Sequence, residues 1–231
     1  MENFNSIVKY RNDSASEGAK ELAGRILSHL NEGKKVLWLV CGGSNVPISV
    51  DVLNIMKAEL DKEGKRHILK NVTVTLTDER YSSINHPDSN WRQLKEKGFD
   101  FEAVTAVPVL VGKSLDETTK LFGVNLRDVW NNNEVKIGQF GIGEDGHIAG
   151  VLPRSVGVSN PGTVVSYEAG KFRRITITLE TIAKLDSVYV FAYGESKKEA
   201  LNNLKEELTL DAQPAQILKS VKEVFVYSDQ I

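Results

Sequence analysis

The segment VLWLVCGGSNVPISVDVLNIMKAELDK, residues 36–62, shows the pattern that decides the fold. Its apolar run at 36–43 ends in two glycines, which is typical of a strand buried on both faces of a parallel sheet. Apolar residues then recur at three-to-four spacing over 47–62, which predicts a helix directly after the strand. A buried strand, a glycine turn and a helix in this order indicate an α/β fold.

The same alternation extends through the rest of the chain. Apolar periodicity predicts further helices over 13–32, 88–97, 114–132 and 196–208, started by Asp13 or Ser14, by Asp88 or Ser89, and by a Ser114–Glu117 capping box. Apolar and β-branched runs predict further strands over 71–80, 135–142, 163–167, 173–179, 187–193 and 223–227. Short connections between them predict a single doubly wound, mostly parallel sheet with helices on both faces, in one domain over residues 1–231. The irregular segment 154–174 is expected to cover the sheet.

Composition narrows the class of protein. The 231 residues carry 29 Lys and Arg against 31 Asp and Glu, and this balance argues against a general electrostatic nucleic-acid binder. No apolar run approaches the roughly 20 residues that span a bilayer, and the start of the chain lacks the pattern of a secretory signal. One cysteine, Cys41, excludes an internal disulfide and fits a reducing compartment. We therefore expect a cytoplasmic protein without nucleic-acid or membrane partners, either a monomer or a small homo-oligomer.

The first candidate binding feature follows the strand at 36–43. In an open parallel sheet, ligands bind beyond the carboxyl ends of the strands. Gly42, Gly43 and Ser44 occupy such an end, where glycines let an anion approach the backbone and the next helix offers free N–H groups. The turn matches neither the Walker pattern nor GxGxxG. It is either a phosphate-binding turn or an ordinary strand-to-helix turn.

Three consecutive charges, Asp78, Glu79 and Arg80, follow the next strand. They are costly there unless they face solvent, pair together or bind a ligand. Arg80 is suited to a phosphate or a developing oxyanion. His86 and Asp88, a few residues later, fit a solvated loop and a helix start better than a catalytic role.

A glycine-rich turn with an acid and a histidine ends the strand at 135–142. Within it lie Gly143, Asp145, Gly146 and His147, and the glycines permit unusual backbone and close approach of a ligand. Histidine can take a proton from water near neutral pH, and an adjacent carboxylate can orient it. A catalytic histidine and a structural one both fit this pattern.

Two later positions add positive charge. Arg174 stands beside Arg173 at the start of one predicted strand, and Lys197 follows another within GESK (194–197). Each is either a surface charge or part of a phosphate cradle. We predict no metal site, because no ligand-spacing motif joins the available acids and histidines: His86, Asp88, Asp145 and His147.

Taken together, these motifs resemble a known family. GIGEDGHIAGVLP (141–153) is similar to the Gly-x-Gly-x-Asp-Gly-His signature of 6-phosphogluconolactonases and glucosamine-6-phosphate deaminases, which share a fold. The other segments of the family pattern follow in the expected order: CGGSNVP, TDERYSSINHPDSNW, RRIT, GESK and QPAQIL. The resemblance covers about residues 16–228 and implies a single doubly wound, Rossmann-like α/β domain.

The lactonase branch is the closer resemblance. Lactonases look like Asp-Glu-Arg at the second strand end, as this chain does at 78–80. Deaminases usually follow Asp-Gly-His with Phe-Asn-Glu-Pro, whose glutamate partners the histidine in ring opening, whereas 149–153 here reads Ala-Gly-Val-Leu-Pro. Two departures from the lactonase pattern are Gly150 in place of serine and one extra residue in 44–47.

The resemblance implies hydrolysis of 6-phospho-D-glucono-1,5-lactone to 6-phosphogluconate, a step of the pentose phosphate pathway, without metal or organic cofactor. His147 is then the general base, Asp145 orients it, and Arg80 neutralises charge near the reacting centre or the phosphate. The implied phosphate ligands are Gly42, Gly43, Ser44, Lys197 and one arginine of the 173–174 pair, which we expect to be Arg174. The remaining residues expected to line the site are Asp78, Glu79, Gly143 and Gly146.

Two alternatives stay open at this point. One is an amino-sugar phosphate deaminase or isomerase. The other is a sugar-phosphate-binding module without catalytic activity, since related domains serve as effector modules in transcription regulators. Such regulators carry a DNA-binding helix pair, and we expect no segment of this chain to supply one.

Overall fold

The structure, a computed structural model, describes residues 7–231. Residues 1–6, the start of the segment that lacks a secretory pattern, lie outside the described residues. The strands are β1 (Ile7–Arg11), β2 (Val36–Val40), β3 (Val72–Leu76), β4 (Asp78–Arg80), β5 (Thr105–Ala106), β6 (Val135–Phe140), β7 (Val164–Ala169), β8 (Phe172–Ile177), β9 (Ser187–Phe191) and β10 (Glu223–Tyr227). The α-helices are α1 (Ala15–Asn31), α2 (Val46–Lys62), α3 (Asn90–Glu96), α4 (Leu115–Asn132), α5 (Leu179–Ala183) and α6 (Lys198–Lys205).

Seven strands form a sheet that is parallel throughout, in the order β1-β10-β9-β6-β2-β3-β5. Val36 of β2 pairs with Val135 of β6 on one side and with Val72 of β3 on the other. From β2 the chain continues outward to β3, whereas from β6 it continues in the opposite direction to β9. The carboxyl ends of β2 and β6 therefore border the crevice of a doubly wound sheet. The predicted fold class is confirmed.

Helices cover this sheet because its central strands have no solvent face. Every residue of β2 and β9 is buried. Helix α1 packs against α2, and α2 packs against α3. The right-handed crossover rule places these three on one face and the helices that precede β6 and β10 on the other. Across residues 7–231, none of the helices has the length and apolar character that crossing a membrane requires.

Capping hydrogen bonds show which of the predicted residues begins each helix. Ser14, not Asp13, caps α1 in a capping box with Glu17, and Ser114 forms the predicted box with Glu117. Ser89, not Asp88, caps α3 by accepting a hydrogen bond from the backbone N–H of Arg92. Each hydroxyl satisfies an N–H that the first helical turn leaves without a partner.

A second, antiparallel sheet in the order β4-β8-β7 is an addition that the sequence pattern did not predict. The single strand predicted over 71–80 divides at Thr77, whose N–H donates to Val40 of the large sheet while its carbonyl accepts from Ile177 of the small one. The strands predicted over 163–167 and 173–179 are confirmed as β7 and β8, so the last part of the segment 154–174 forms an antiparallel hairpin. The small sheet thereby carries residues 78–80 to the same edge as the β2 turn.

Candidate functional site

A cleft of about 210 Å³ lies at the carboxyl ends of β2 and β6, bordered by the small sheet. Most residues that the sequence nominated line it: Gly42, Gly43, Ser44, Asp78, Arg80, Gly143, His147, Arg174 and Lys197. Segments far apart in the chain therefore meet at one place. The other nominated residues are not part of this lining: Glu79 and Gly146 are buried, and Asp145 is exposed beside His147.

The glycine turn after β6 brings His147 to the cleft. The Gly143 N–H donates to the His147 carbonyl over 3.0 Å, and the Gly146 N–H donates to the Gly143 carbonyl over 2.9 Å. Gly146 has φ +81°, a conformation that favours glycine. A Cβ at Gly143 would lie 2.0 Å from Nδ1 of His147. Both glycines are therefore required for the turn to close against the imidazole.

Asp145 contacts His147 directly. Its Oδ1 lies 2.6 Å from Nδ1 of the imidazole and accepts the backbone N–H of His147 over 3.1 Å. The hydrogen bond from the imidazole lowers the pKa of Asp145 to about 2. The carboxylate is therefore charged and can only accept, so Nδ1 carries the proton, and in the neutral imidazole Nε2 then has a free lone pair. The side chains are 33% (His147) and 48% (Asp145) exposed, so water can reach the pair.

The β2 turn presents backbone to the same cleft. Gly43 has φ +66°, and residues 43–45 form a short 3₁₀ turn that leads into α2. No side chain caps the start of α2, which leaves N–H groups available for an anion. A Cβ at Gly42 would lie 2.0 Å from Oδ1 of Asn90, so only glycine fits beside that amide.

Arginines from the small sheet supply positive charge. Arg80 of β4 pairs in register with Arg174 of β8, and both line the cleft. Nη1 of Arg174 lies 3.5 Å from Oδ2 of Asp78. Arg173 points to the opposite face and stacks over Tyr81 at 4.8 Å, so Arg174 is the member of the pair at the cleft.

Lys197 completes the lining at the start of α6. Among the described residues, the cleft is lined by the cationic side chains Arg80, Arg174 and Lys197 and by a single carboxylate, that of Asp78. Beside a helix start with free N–H groups, this excess of positive charge is suited to a phosphate group.

Glu79 was predicted to line the site, but it does not. Its side chain is fully buried and does not reach the cleft. Its carboxylate accepts the backbone N–H groups of Arg80 (2.8 Å), Asn90 (2.7 Å) and Trp91 (3.1 Å) and the Ser89 hydroxyl (2.9 Å). Burial raises the pKa of Glu79, and these hydrogen bonds oppose the rise. Glu79 therefore joins the start of α3 to β4.

Several lining residues were missed by the sequence analysis: Cys41, Asn45, Asn90, Gly141, Ile142 and Ala149. Asn90 follows the Ser89 cap within the quoted PDSN segment, and its amide donates to the Asp78 carbonyl over 2.9 Å. Asn45 lies in the segment that carries the extra residue and donates to the Phe191 carbonyl over 3.1 Å. The sequence around such an asparagine does not indicate a place in the site, because only the folded chain shows what its amide faces.

The acids that could have stood beside His147 lie elsewhere. Residues 148–153 contain no ionisable side chain, and both Glu144 and Glu168 are exposed outside the cleft lining. Across residues 7–231, no group of three metal-ligating side chains is assembled. His86 and Asp88 instead contact each other, with 3.7 Å between Nδ1 and Oδ2.

Comparisons with known proteins show the family and the fold of this chain. The family described as glucosamine-6-phosphate isomerases/6-phosphogluconolactonase matches residues 10–226. A 6-phosphogluconolactonase of Borreliella burgdorferi is 26% identical over 82% of each chain, and a glucosamine-6-phosphate deaminase of Lactobacillus johnsonii is 25% identical over 93% of this chain and 91% of its own. A solved 6-phosphogluconolactonase of Shewanella baltica shares the fold, with a TM-score of 0.78 and 20% identity over 96% of this chain and 97% of its own.

Proposed function

This chain belongs to the glucosamine-6-phosphate isomerase/6-phosphogluconolactonase family, and we propose that it hydrolyses 6-phospho-D-glucono-1,5-lactone to 6-phosphogluconate. One observation carries the choice of reaction: the Asp145–His147 pair faces a phosphate-suited cleft, and residues 148–153 place no acid beside the imidazole. Deamination needs an acid to open the sugar ring and proton transfer between C1 and C2. Lactone hydrolysis needs a base for water, because the carbonyl is already electrophilic.

In the proposed reaction, Nε2 of His147 takes a proton from water as the water oxygen bonds to C1 of the lactone. The bond between C1 and the ring oxygen then breaks, and the ring oxygen takes the proton back from the imidazolium. Asp145 keeps Nδ1 protonated and stabilises the transient positive charge. Arg80 lies where it can neutralise negative charge on the carbonyl oxygen or on the phosphate.

The phosphate is held by the β2 turn and by cations of the cleft lining. The backbone of Gly42, Gly43 and Ser44 offers N–H groups, and Arg174 and Lys197 offer charge-assisted hydrogen bonds. Such bonds contribute about 1.5–3 kcal/mol each. This places the sugar between the phosphate ligands and His147.

The proposal also covers the domain organisation, oligomeric state and cellular location of the enzyme. Residues 1–231 act as one sugar-phosphate domain, as a monomer or small homo-oligomer in the cytoplasm. The reaction requires neither metal nor organic cofactor, because a positioned base and stabilisation of the oxyanion suffice for an activated ester.

Deamination of glucosamine 6-phosphate is the second candidate, because the Lactobacillus johnsonii deaminase matches nearly the whole chain. The two activities are separated by one pair of assays with purified protein. Freshly generated 6-phosphogluconolactone should be hydrolysed above its spontaneous rate, whereas glucosamine 6-phosphate should release no ammonia.

His147→Asn serves as the control in both assays, because it removes the proposed base. Saturable ammonia release that this substitution abolishes, without lactonase activity, would overturn the assignment in favour of the deaminase. Tight binding of 6-phosphogluconate with neither activity would support the non-catalytic module instead.

A further inference from the structure

The small sheet sorts its arginines onto two faces. Successive residues of a strand point to opposite faces, so Phe172 and Arg174 of β8 share one face and Arg173 points to the other. Arg80 of β4 pairs with Arg174 and shares its face. Each face thus holds arginine against an aromatic ring: Arg173 over Tyr81 on the outer face, and two arginines beside Phe172 at the cleft.

The ring of Phe172 lies beside both cleft arginines. Its centroid is 5.0 Å from Cζ of Arg80 and 5.9 Å from Cζ of Arg174. Nζ of Lys171, at the tip of the β7–β8 hairpin, lies 5.0 Å from the same centroid. We refer to Arg80, Lys171, Phe172 and Arg174 as the Phe172 cluster. Cations within about 6 Å of an aromatic centroid are attracted by the electron-rich face of the ring.

Carboxylates neutralise little of the positive charge of the Phe172 cluster. Among residues 7–231, the ion pair of the cluster's cations is the one between Arg174 and Asp78, and its N···O distance is 3.5 Å. The Nε atoms of Arg80 and Arg174 are buried, and neither has a hydrogen-bond partner. Nη1 of Arg80 donates to the Asp88 carbonyl over 3.3 Å. Adjacent guanidinium groups repel each other, and a neutral surface that attracts both opposes this repulsion.

We propose that Phe172 is a positioning residue for phosphate recognition, because its ring holds Arg80 and Arg174 side by side with their N–H groups available to one phosphate. The inference rests on the proposed function only in taking the phosphate to be that of the sugar lactone. Phe172 itself contributes no hydrogen bond. Its effect is to make the cationic pair rigid before the substrate arrives, which lowers the ordering cost of binding.

Replacing the ring tests the proposal. Phe172→Leu should raise KM for 6-phosphogluconolactone about tenfold, because two cation–π contacts are lost. It should leave kcat unchanged, and it should leave the hydrolysis of unphosphorylated glucono-1,5-lactone unchanged. Phe172→Tyr should restore KM, since it restores the aromatic face. An unchanged KM in the leucine variant, or a tyrosine variant as impaired as the leucine one, would overturn the proposal.

Tyr81→Leu is the matched control. It removes the same kind of arginine contact from the outer face of the same sheet, so a general loosening of the sheet would raise KM equally in both variants and contradict a specific role for Phe172. If Phe172→Leu does not fold, 3,4,5-trifluorophenylalanine at position 172 weakens the ring's attraction for cations with little change of shape. It should raise KM in the same direction, and an unchanged KM would overturn the proposal.

Binding of inorganic phosphate separates this inference from the proposed function. Calorimetric titration should give an about tenfold weaker Kd in Phe172→Leu than in the wild type or Tyr81→Leu. If the wild type hydrolyses no lactone but this difference in phosphate affinity is found, the proposed function fails and the role of Phe172 stands. If lactone hydrolysis is found but phosphate affinity does not depend on Phe172, the proposed function stands and this inference fails.

Discussion

Two strand ends beside the cleft each carry a carboxylate outside the cleft lining, and the environments of the two carboxylates differ. Glu79, at the end of the β3–β4 segment, is fully buried and accepts hydrogen bonds from four donors. Asp145, after β6, is half exposed and contacts one imidazole. Burial raises the pKa of Glu79, whereas the hydrogen bond from His147 lowers that of Asp145 to about 2.

The difference shows that a charged residue after a strand is not by itself a catalytic group. A carboxylate that accepts hydrogen bonds from backbone N–H groups stabilises the fold, because removing it leaves buried donors without acceptors. A carboxylate that faces water and one histidine instead sets the tautomer and charge of a base. Substitutions of His147, Asp145 and Glu79 probe this distinction, and a substitution of Lys197 tests the phosphate ligands beside them.

The largest effect is expected from the pair itself. His147→Asn should lower kcat for lactone hydrolysis by roughly 100-fold or more, the usual contribution of a general base, without loss of stability. Steady-state kinetics corrected for spontaneous hydrolysis will measure it. His86→Asn, in the loop beside Asp88, is the matched control and should leave kcat unchanged. An enzymatic rate that survives His147→Asn would remove this residue from the mechanism.

Removing the charge of Asp145 should cost less. Asp145→Asn should lower kcat by roughly 10- to 100-fold, because one charge-assisted hydrogen bond of about 1.5–3 kcal/mol is lost. With a pKa of about 2, Asp145 stays charged across the pH range of the assay, and steady-state kinetics corrected for spontaneous hydrolysis will measure the loss.

Glu144→Gln, on the neighbouring exposed residue, is the control for the Asp145 experiment and should leave kcat unchanged. An unchanged kcat in Asp145→Asn would contradict the proposed role of the contact between the carboxylate and the imidazole.

A smaller effect, confined to KM, is expected at the phosphate. Lys197→Ala should raise KM for the phosphorylated lactone about tenfold through loss of one charge-assisted bond. The change should vanish with unphosphorylated gluconolactone as substrate. Lys198→Ala, one residue further along, leaves the cleft lining intact and is the control. Equal losses on both substrates would indicate that Lys197 acts through stability or chemistry.

The smallest effect on turnover is expected at Glu79. Glu79→Gln should lower the free energy of unfolding by about 1–3 kcal/mol, because an amide offers one acceptor oxygen to donors that now share two. Once folded, the variant should retain its kcat. Urea denaturation followed by circular dichroism measures the loss, with the exposed Glu96→Gln on α3 as control. A large fall in kcat with unchanged stability would place Glu79 in the chemistry and erase the contrast with Asp145.

Many elements of the fold and the site could be predicted from the sequence alone. Parallel strands buried on both faces leave continuous apolar runs, so β2, β6 and β9 were predictable from local pattern, as were the capped helices α1 and α4. Glycine-rich strand ends mark where backbone must bend sharply or a ligand must approach. This is why the turns around Gly43 and His147 could be nominated from residue type and spacing.

Only the tertiary structure shows which of the predicted site residues line the cleft and which stabilise the fold. Whether Glu79 faces water or the start of α3 depends on the small antiparallel sheet, which pairs residues about a hundred positions apart and leaves no local periodicity. The same pairing placed Arg174 at the cleft and Arg173 on the outer face, and brought Phe172 beside two arginines. Local sequence specifies the element and its turn, because those depend on neighbouring residues. Burial, register and the partner of each charge depend on contacts between distant segments, and these exist only in the folded chain.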